Sequence, residues 1–131
     1  MKKKEPMSQY GPTVLLIEDD PVISKLIEFK LKRNNYKFEL RENGFSGFEA
    51  IKELKPDLVI LDIMLPSVNG LEVLRKIRED EELDNVRVIM LSASMKMKDK
   101  KLAFEQGVKD YIVKPFETDE LIMRVKKSLE N

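Results

Sequence analysis

The chain contains 131 residues, of which 42% are hydrophobic, and its 24 acidic residues are balanced by 24 basic ones. This length suits one domain with its own core, and the zero net charge predicts no direct binding of nucleic acid through a global field. The sequence has no cysteine and no histidine, which excludes disulfides, thiolate zinc sites, Ser-His nucleophile pairs and a phosphohistidine formed within this chain.

The N-terminal residues carry a charged start without the apolar segment of a secretion signal. Residues 2–4 are lysines, but residues 5–12 contain no apolar run to follow them. No apolar run in the sequence approaches the roughly 20 residues that span a bilayer. We therefore expect a cytoplasmic protein without membrane contact, in which residues 1–12 form a flexible tail and residues 13–131 form one domain.

Five short runs predict β-strands. They cover residues 14–17, 36–40, 58–61, 88–91 and 111–113. Four of the runs are continuously apolar, which is typical of strands buried on both faces of a parallel sheet. Residues 36–40 alternate apolar and polar side chains, which favours an edge strand for that run.

A stretch with helical periodicity follows each predicted strand. The apolar stripes are Ile23, Leu26, Ile27 and Leu31; Phe48, Ile51 and Leu54; Leu71, Leu74 and Ile77; Leu102 and Ala103; and Leu121, Ile122, Val125 and Leu129. Asp20 followed by Pro21 suits the N-cap and first residue of the first helix. Thr118 suits the N-cap of the last helix, and Gly107 suits a left-handed end of the fourth.

The order βαβαβαβαβα predicts an α/β fold, a doubly wound five-stranded parallel sheet of the (βα)5 type with helices on both faces. Right-handed crossovers favour the strand order 2-1-3-4-5. In such sheets ligands bind beyond the carboxyl ends of the strands, where the strand order reverses. That point lies between strands 1 and 3 here.

Polar side chains stand at this edge after four of the strands. Strand 1 is followed by Glu18, Asp19 and Asp20, strand 3 by Asp62, strand 4 by Ser92 and strand 5 by Lys114. Glu18, Asp19 and Asp62 would repel one another if no cation lay between them. Oxygen ligands without cysteine or histidine favour Mg²⁺ as that cation.

A site with a carboxylate, Mg²⁺, a lysine and a hydroxyl is equipped for phosphoryl transfer. Asp62 is the best candidate nucleophile because it stands alone at the centre of the sheet. Lys114 would neutralise phosphoryl oxygens together with Mg²⁺, and Ser92 would donate a hydrogen bond to one of them. Asp20 fits a helix N-cap better than a metal ligand.

With this order and spacing the chain resembles the receiver domain of two-component response regulators over residues 13–129. The matching segments are residues 16–19 (LIED), 57–66 (DLVILDIMLP), 69–70 (NG), 91–93 (LSA) and 110–116 (DYIVKPF). The resemblance implies the flavodoxin-like fold of chemotaxis receivers and phosphorylation-controlled signalling in a two-component system. It also implies that the chain is no enzyme beyond catalysing its own phosphorylation and dephosphorylation.

The resemblance implies a role for each residue of the site. Asp62 would be the phosphoacceptor, with Lys114 and Ser92 as catalytic partners. The metal ligands would be Asp19 directly, Glu18 through water, Asp62, and the backbone carbonyl of Met64. Ser92 and Tyr111 would form the switch, with Tyr111 turning inward when the hydroxyl moves. The Lys114–Pro115 peptide bond would be cis.

Three positions depart from the commonest residues of the family. Glu18 replaces Asp, and its longer side chain still reaches the outer shell of a metal. Asn69 replaces Asp, a change expected to affect loop geometry more than catalysis. Ser92 replaces Thr and so keeps the hydroxyl while losing the methyl group that would hold it more rigidly.

The phosphoryl donor would be a histidine kinase or a phosphotransfer protein.

Residues 94–101 combine four lysines with two methionines. They lie on the face of strands 4 and 5 and helices 4 and 5, and they form either a solvated surface or an adaptable protein-binding surface there. Lys98 and Lys109 add positive charge there, which argues against the symmetric dimer of regulators with winged-helix outputs. The sequence is compatible both with a stand-alone receiver and with a fragment of a longer regulator.

Two other functions fit parts of the pattern. A Mg²⁺-dependent aspartyl-phosphate phosphatase would need a second acidic residue two positions after the nucleophile, where this chain has Met64. A flavodoxin-like carrier would need a hydroxyl- and glycine-rich phosphate loop after strand 1. The acidic residues that follow strand 1 would repel that phosphate.

Overall fold

The computed structural model describes residues 11–130. The strands are β1 Thr13–Ile17, β2 Lys37–Arg41, β3 Leu58–Asp62, β4 Arg87–Ser92 and β5 Asp110–Val113. The α-helices are α1 Pro21–Arg33, α2 Gly44–Leu54, α3 Gly70–Glu79, α4 Met97–Glu105 and α5 Thr118–Leu129, and a short 3-10 helix covers Glu81–Leu83. This order confirms the (βα)5 prediction. The predicted tail lies outside the described residues except for Gly11 and Pro12.

The five strands form one parallel sheet in the order β2-β1-β3-β4-β5, as predicted. Every residue of β3 is buried, whereas β2 at the edge has no fully buried residue. Leu58 of β3 pairs with Val14 on one side and with Arg87 on the other. The central position of β3 explains its continuous apolar run and places Asp62 in the middle of the carboxyl edge.

Two apolar cores cover the two faces of the sheet. Leu15 of β1 and Val59 of β3 pack in the core that includes residues of α2, α3 and α4. The neighbouring residues Leu16 and Ile60 pack in the other core, which α1 and α5 complete. Successive strand residues point to opposite faces, so continuous apolar strands supply both cores at once. Among residues 11–130 no helix is long and apolar enough to cross a bilayer.

The first helix begins as predicted, and the last one does not. The Asp20 carboxylate accepts hydrogen bonds from the amides of Val22 at 2.9 Å and Ile23 at 3.5 Å, which confirms it as the N-cap of α1. The N-cap of α5 is Glu117, whose side chain makes no cap bond. The prediction of Thr118 was wrong because the first helical turn closes on the carbonyl of Glu117, which accepts from Leu121 at 3.0 Å.

Helix α4 is attached to the core by little apolar surface. Ala103 is its only buried residue, while Leu102 is 41% and Phe104 49% exposed. The predicted stripe was therefore wrong for Leu102, although the helix itself is confirmed. Gly107 follows the helix with φ at +76°, the left-handed conformation expected of it. A short helix with one buried side chain depends on polar contacts at its ends for its position.

Gly70 allows α3 to begin against the backbone of the site. Its amide donates to the carbonyl of Ile63 at 2.7 Å. A Cβ atom at this position would lie 2.0 Å from the carbonyl oxygen of Asp62 and 2.7 Å from the Cα of Ile63. Since both contacts are backbone atoms, the chain cannot relieve the overlap by rotating a side chain. A side chain here would displace Asp62.

We expect Gly70→Ala to lower the free energy of unfolding by about 3 kcal/mol, because it forces a methyl group into packed backbone. Gly107→Ala is the matched control: its Cβ would approach only Arg78, at 3.9 Å, so it should cost about 1 kcal/mol for the left-handed backbone alone. Chemical denaturation of both variants measures the difference. Equal losses would contradict the steric explanation.

Candidate functional site

The structure brings the predicted polar side chains together at the carboxyl edge of the sheet. Glu18 follows β1, Asp62 ends β3 and Ser92 ends β4. Glu18 is only 1% exposed, Asp62 3% and Ser92 0%, whereas Asp19 lies open to solvent. Buried strands deliver these residues to one place, since parallel neighbours end at the same edge. The site thus holds two buried carboxylates and one exposed one.

Lys114 joins the two buried carboxylates. Its Nζ donates to Glu18 Oε1 at 2.7 Å and to Asp62 Oδ2 at 3.0 Å. Burial lowers the pKa of the Lys114 ammonium, but the hydrogen bonds and charges of Glu18 and Asp62 outweigh it and leave that pKa above its ordinary value. Lys114 therefore stays charged, and its charge balances one of the two carboxylates.

The second oxygen of Glu18 is also engaged. Glu18 Oε2 accepts a hydrogen bond from the Asp20 amide at 3.0 Å, so the side chain is tied to the start of α1 as well as to β5 through Lys114. Burial raises the pKa of Glu18 above 4.5, and the Asp62 charge adds to this against the opposing hydrogen bonds from Lys114 and Asp20. Glu18 takes up a proton more readily than an exposed glutamate does.

The Asp62 carboxylate is held by its own strand end. Its Oδ1 accepts from the Met64 amide at 3.1 Å, and its Oδ2 accepts from Lys114. Both oxygens thus accept a hydrogen bond, and the loop from Ile63 to Gly70 holds the backbone next to them through the bond from the Gly70 amide to the Ile63 carbonyl. The side chain of Met64 is 66% exposed and reaches solvent at the mouth of the site.

The three acidic residues fit a divalent cation. One carboxylate oxygen from each of Glu18, Asp19 and Asp62 lies within 4.8 Å of the others. Carboxylate oxygens without sulfur or nitrogen ligands match the preference of Mg²⁺, which keeps several waters and needs few direct protein ligands. The role of the Met64 backbone carbonyl as a metal ligand stays a prediction.

Ser92 and Tyr111 meet around Ser94 in the loop between β4 and α4. The Ser94 amide donates to Ser92 Oγ at 3.1 Å, and the Tyr111 hydroxyl donates to the Ser94 carbonyl at 3.0 Å. Tyr111 is 5% exposed, and this burial raises its pKa above the ordinary value of 10.0. The ring therefore already lies inward here. The predicted movement of the Ser92–Tyr111 pair stays a prediction.

Sequence reasoning missed Ser94 and Asp99. The Ser94 hydroxyl donates to Asp99 Oδ2 at 2.6 Å and accepts from the Lys96 amide at 3.3 Å. Asp99 lies in the first turn of α4, where acidic residues favour the positive end of a helix. That position was the available signal, but a bond across five residues depends on how the loop turns.

The predicted cis peptide bond at Lys114–Pro115 is present.

Comparison with known proteins matches nearly the whole chain. The family model described as the response regulator receiver domain matches residues 14–126. The transcriptional regulator RpaA of Synechocystis, described as DNA-binding, is 38% identical over 118 residues, which are 90% of this chain and 49% of that protein. The chain therefore spans about half the length of this curated relative.

Solved structures of receiver domains have the same fold. The receiver domain of a sensor histidine kinase from Pseudomonas aeruginosa, solved with magnesium coordinated in its active-site cleft, has a TM-score of 0.81 at 29% identity, covering 90% of this chain and 97% of that one. The BeF3-activated N-terminal receiver domain of RstA from Klebsiella pneumoniae has a TM-score of 0.83 at 29% identity, covering 91% and 99%.

We expect the affinity for Mg²⁺ to fall as the pH is lowered. The folded-state pKa of Glu18 lies above 4.5, so Glu18 is neutralised at a higher pH than an exposed carboxylate and stops attracting a cation there. Calorimetric titration with Mg²⁺ between about pH 8 and about pH 5 measures the loss. Glu18→Gln should bind more weakly and with a flatter pH profile. A profile as steep as that of the wild type would contradict the role of Glu18.

Proposed function

The chain belongs to the response regulator receiver domain family, and from that premise we propose that Asp62 is the residue that accepts the phosphoryl group. Receiver domains of this family are phosphorylation-activated signalling modules. The observation that carries the assignment to Asp62 is its position: it is the buried carboxylate at the carboxyl end of the central strand, bonded to Lys114 at 3.0 Å. Glu18 is the less suitable nucleophile because it follows β1, beside the central strand, whereas Asp62 ends the central strand itself.

The proposed reaction is an in-line displacement at phosphorus. An oxygen of the Asp62 carboxylate forms a bond to phosphorus, the bond from phosphorus to the donor atom breaks, and the donor leaves with that electron pair. The Lys114 ammonium lies close enough to Asp62 to neutralise charge on an equatorial phosphoryl oxygen. The Ser92 hydroxyl, buried at the end of the neighbouring strand, donates a hydrogen bond to another.

Asp19 and Asp62 would hold Mg²⁺ directly, Glu18 would hold it through water, and the Met64 carbonyl would complete the protein ligands. When bound, the ion supplies positive charge beside the transferred phosphoryl group and relieves the repulsion between the carboxylates. The exposure of Asp19 supports its direct role, since its oxygens are free of the lysine that occupies the other two carboxylates.

The proposed donor is a histidine kinase or a phosphotransfer protein in the cytoplasm. This chain has no histidine, so a phosphohistidine that feeds Asp62 lies outside these 131 residues. The assigned groups act on a phosphoryl group bound to the chain itself. We therefore assign catalysis only of its own phosphorylation and dephosphorylation, and no enzymatic turnover of another substrate.

The proposed surface for a downstream protein comprises β4, α4, β5 and α5. Met97 on α4 and Met123 on α5 are exposed, and Lys98 and Lys109 lie exposed around them. Flexible methionine side chains adapt to a partner, while lysines favour one that carries acidic groups. Tyr111 belongs to β5 within this surface and contacts the loop after Ser92, which connects the surface to the site.

Incubation with Mg²⁺ and acetyl phosphate tests the proposal. We expect the intact mass to rise by one phosphoryl group, and we expect no rise for Asp62→Asn, because an amide is a poor nucleophile. Asp84→Asn, which changes an exposed aspartate away from the site, is the matched control and should gain the group normally. An Asp62→Asn protein that still gains it would overturn the assignment.

We expect Met64→Asn to shorten the lifetime of the phosphorylated state. The Met64 side chain is exposed at the mouth of the site and cannot orient a water molecule by hydrogen bonding, whereas an asparagine amide can direct one at phosphorus. The decay of the phosphorylated mass after removal of acetyl phosphate measures the lifetime, with Met64→Leu as the apolar control. Equal decay in all three proteins would refute this role.

A further inference from the structure

The loop between β4 and α4 is organised around Ser94. Its amide donates to Ser92 Oγ at 3.1 Å, and its carbonyl accepts from the Tyr111 hydroxyl at 3.0 Å. Its hydroxyl donates to Asp99 Oδ2 at 2.6 Å and accepts from the Lys96 amide at 3.3 Å. Every polar group of this serine is therefore engaged, and its bonds lead to β4, to β5, to α4 and to the loop itself.

The bond between Ser94 and Asp99 fixes the loop to the start of α4. The N-cap residue Lys96 makes no side-chain cap bond, and only Ala103 of this helix is buried. At the first turn of α4, among the described residues, the Ser94–Asp99 bond is therefore the side-chain contact that ties helix and loop together. Its donor and its charged acceptor lie only 2.6 Å apart, which is typical of a strong hydrogen bond.

We propose that Ser94 and Asp99 are positioning residues for the Ser92 hydroxyl in the phosphoryl transfer at Asp62. This inference rests on the proposed function. The Asp99 carboxylate holds the Ser94 side chain, which places the Ser94 amide on Ser92 Oγ. The amide donates to one lone pair of that oxygen and so fixes where Ser92 Oγ lies, while the hydroxyl proton stays available to an acceptor in the site.

The positioning role differs from that of an ordinary helix cap in what it predicts. A cap that only stabilises α4 would change the unfolding free energy, and its effect on phosphorylation would not depend on Ser92. A contact that acts through the Ser92 hydroxyl loses its effect on the rate once that hydroxyl is removed. Kinetics in the presence and in the absence of Ser92 Oγ therefore separate the two roles.

The experiment measures the rate of phosphorylation of the full chain by acetyl phosphate with Mg²⁺. We expect Asp99→Ala and Ser94→Ala each to slow it by about tenfold, which corresponds to about 1.4 kcal/mol in the barrier. Ser94→Thr keeps the hydroxyl and should recover most of the rate. Glu105→Gln removes an exposed acidic group from the same helix and should leave the rate unchanged, which controls for the charge of α4.

The decisive comparison uses Ser92→Ala as the starting protein. We expect Asp99→Ala to add no further slowing to Ser92→Ala, because the group it positions is gone. Equal slowing in both backgrounds, or no slowing in the wild-type background, would overturn the inference while leaving Asp62 as the phosphoacceptor. A wild-type chain that takes up no phosphoryl group would overturn the proposed function and this inference with it. Ser94→Ala removes the donor of the same hydrogen bond, so this variant provides the measurement if Asp99→Ala does not fold.

Discussion

The bridge that Lys114 forms between Glu18 and Asp62 is the interaction on which the site depends. Two buried carboxylates would repel each other and would each pay a large desolvation cost if no cation lay between them. The ammonium donates to both, and it comes from a third strand, since Lys114 follows β5 whereas Glu18 follows β1 and Asp62 ends β3. The bridge holds only while these three strands end at the same edge, so the chemistry of the site and the topology of the sheet constrain each other.

This requirement explains several features of the core. The continuous apolar runs of β1, β3 and β4 bury the central strands from both sides, and this fixes where each strand delivers its polar residue. A strand shifted by one residue would point Asp62 toward one of the apolar cores instead of into the site. Gly70 serves the same end, because the closeness of α3 to the Asp62 backbone leaves no room for a side chain. The rigid part of the molecule thus holds the two carboxylates and the lysine in fixed relative positions.

Much of this could be predicted from the sequence, because strands buried on both faces and a helix cap leave local signals. The strand order, the Asp20 cap and the convergence of Glu18, Asp62, Ser92 and Lys114 followed from such signals and from the rules of parallel sheets. The N-cap of α5 was misplaced by one residue because Thr118 satisfies the local N-cap preference and Glu117 does not, whereas the first hydrogen bond of the helix closes on the Glu117 carbonyl. The Ser94–Asp99 bond was missed for the same reason. It joins two polar residues across a loop whose course no short-range pattern specifies.

Helix α4 differs from the rigid part in the kind of contact that holds it. With one buried residue, it gains little from the hydrophobic effect, and short polar bonds at its two ends set its position. Arg78 donates to the carbonyls of Gln106 and Gly107 after the last turn, and Ser94 holds the first turn. Moving such a helix takes one buried side chain, Ala103, out of the core, whereas moving α3 would open the core at Leu74 and Ile77. Elements that move in signalling come from the weakly held part of a fold. The connection from Ser92 through Ser94 to Asp99 joins the buried site to the α-helix with the fewest buried residues.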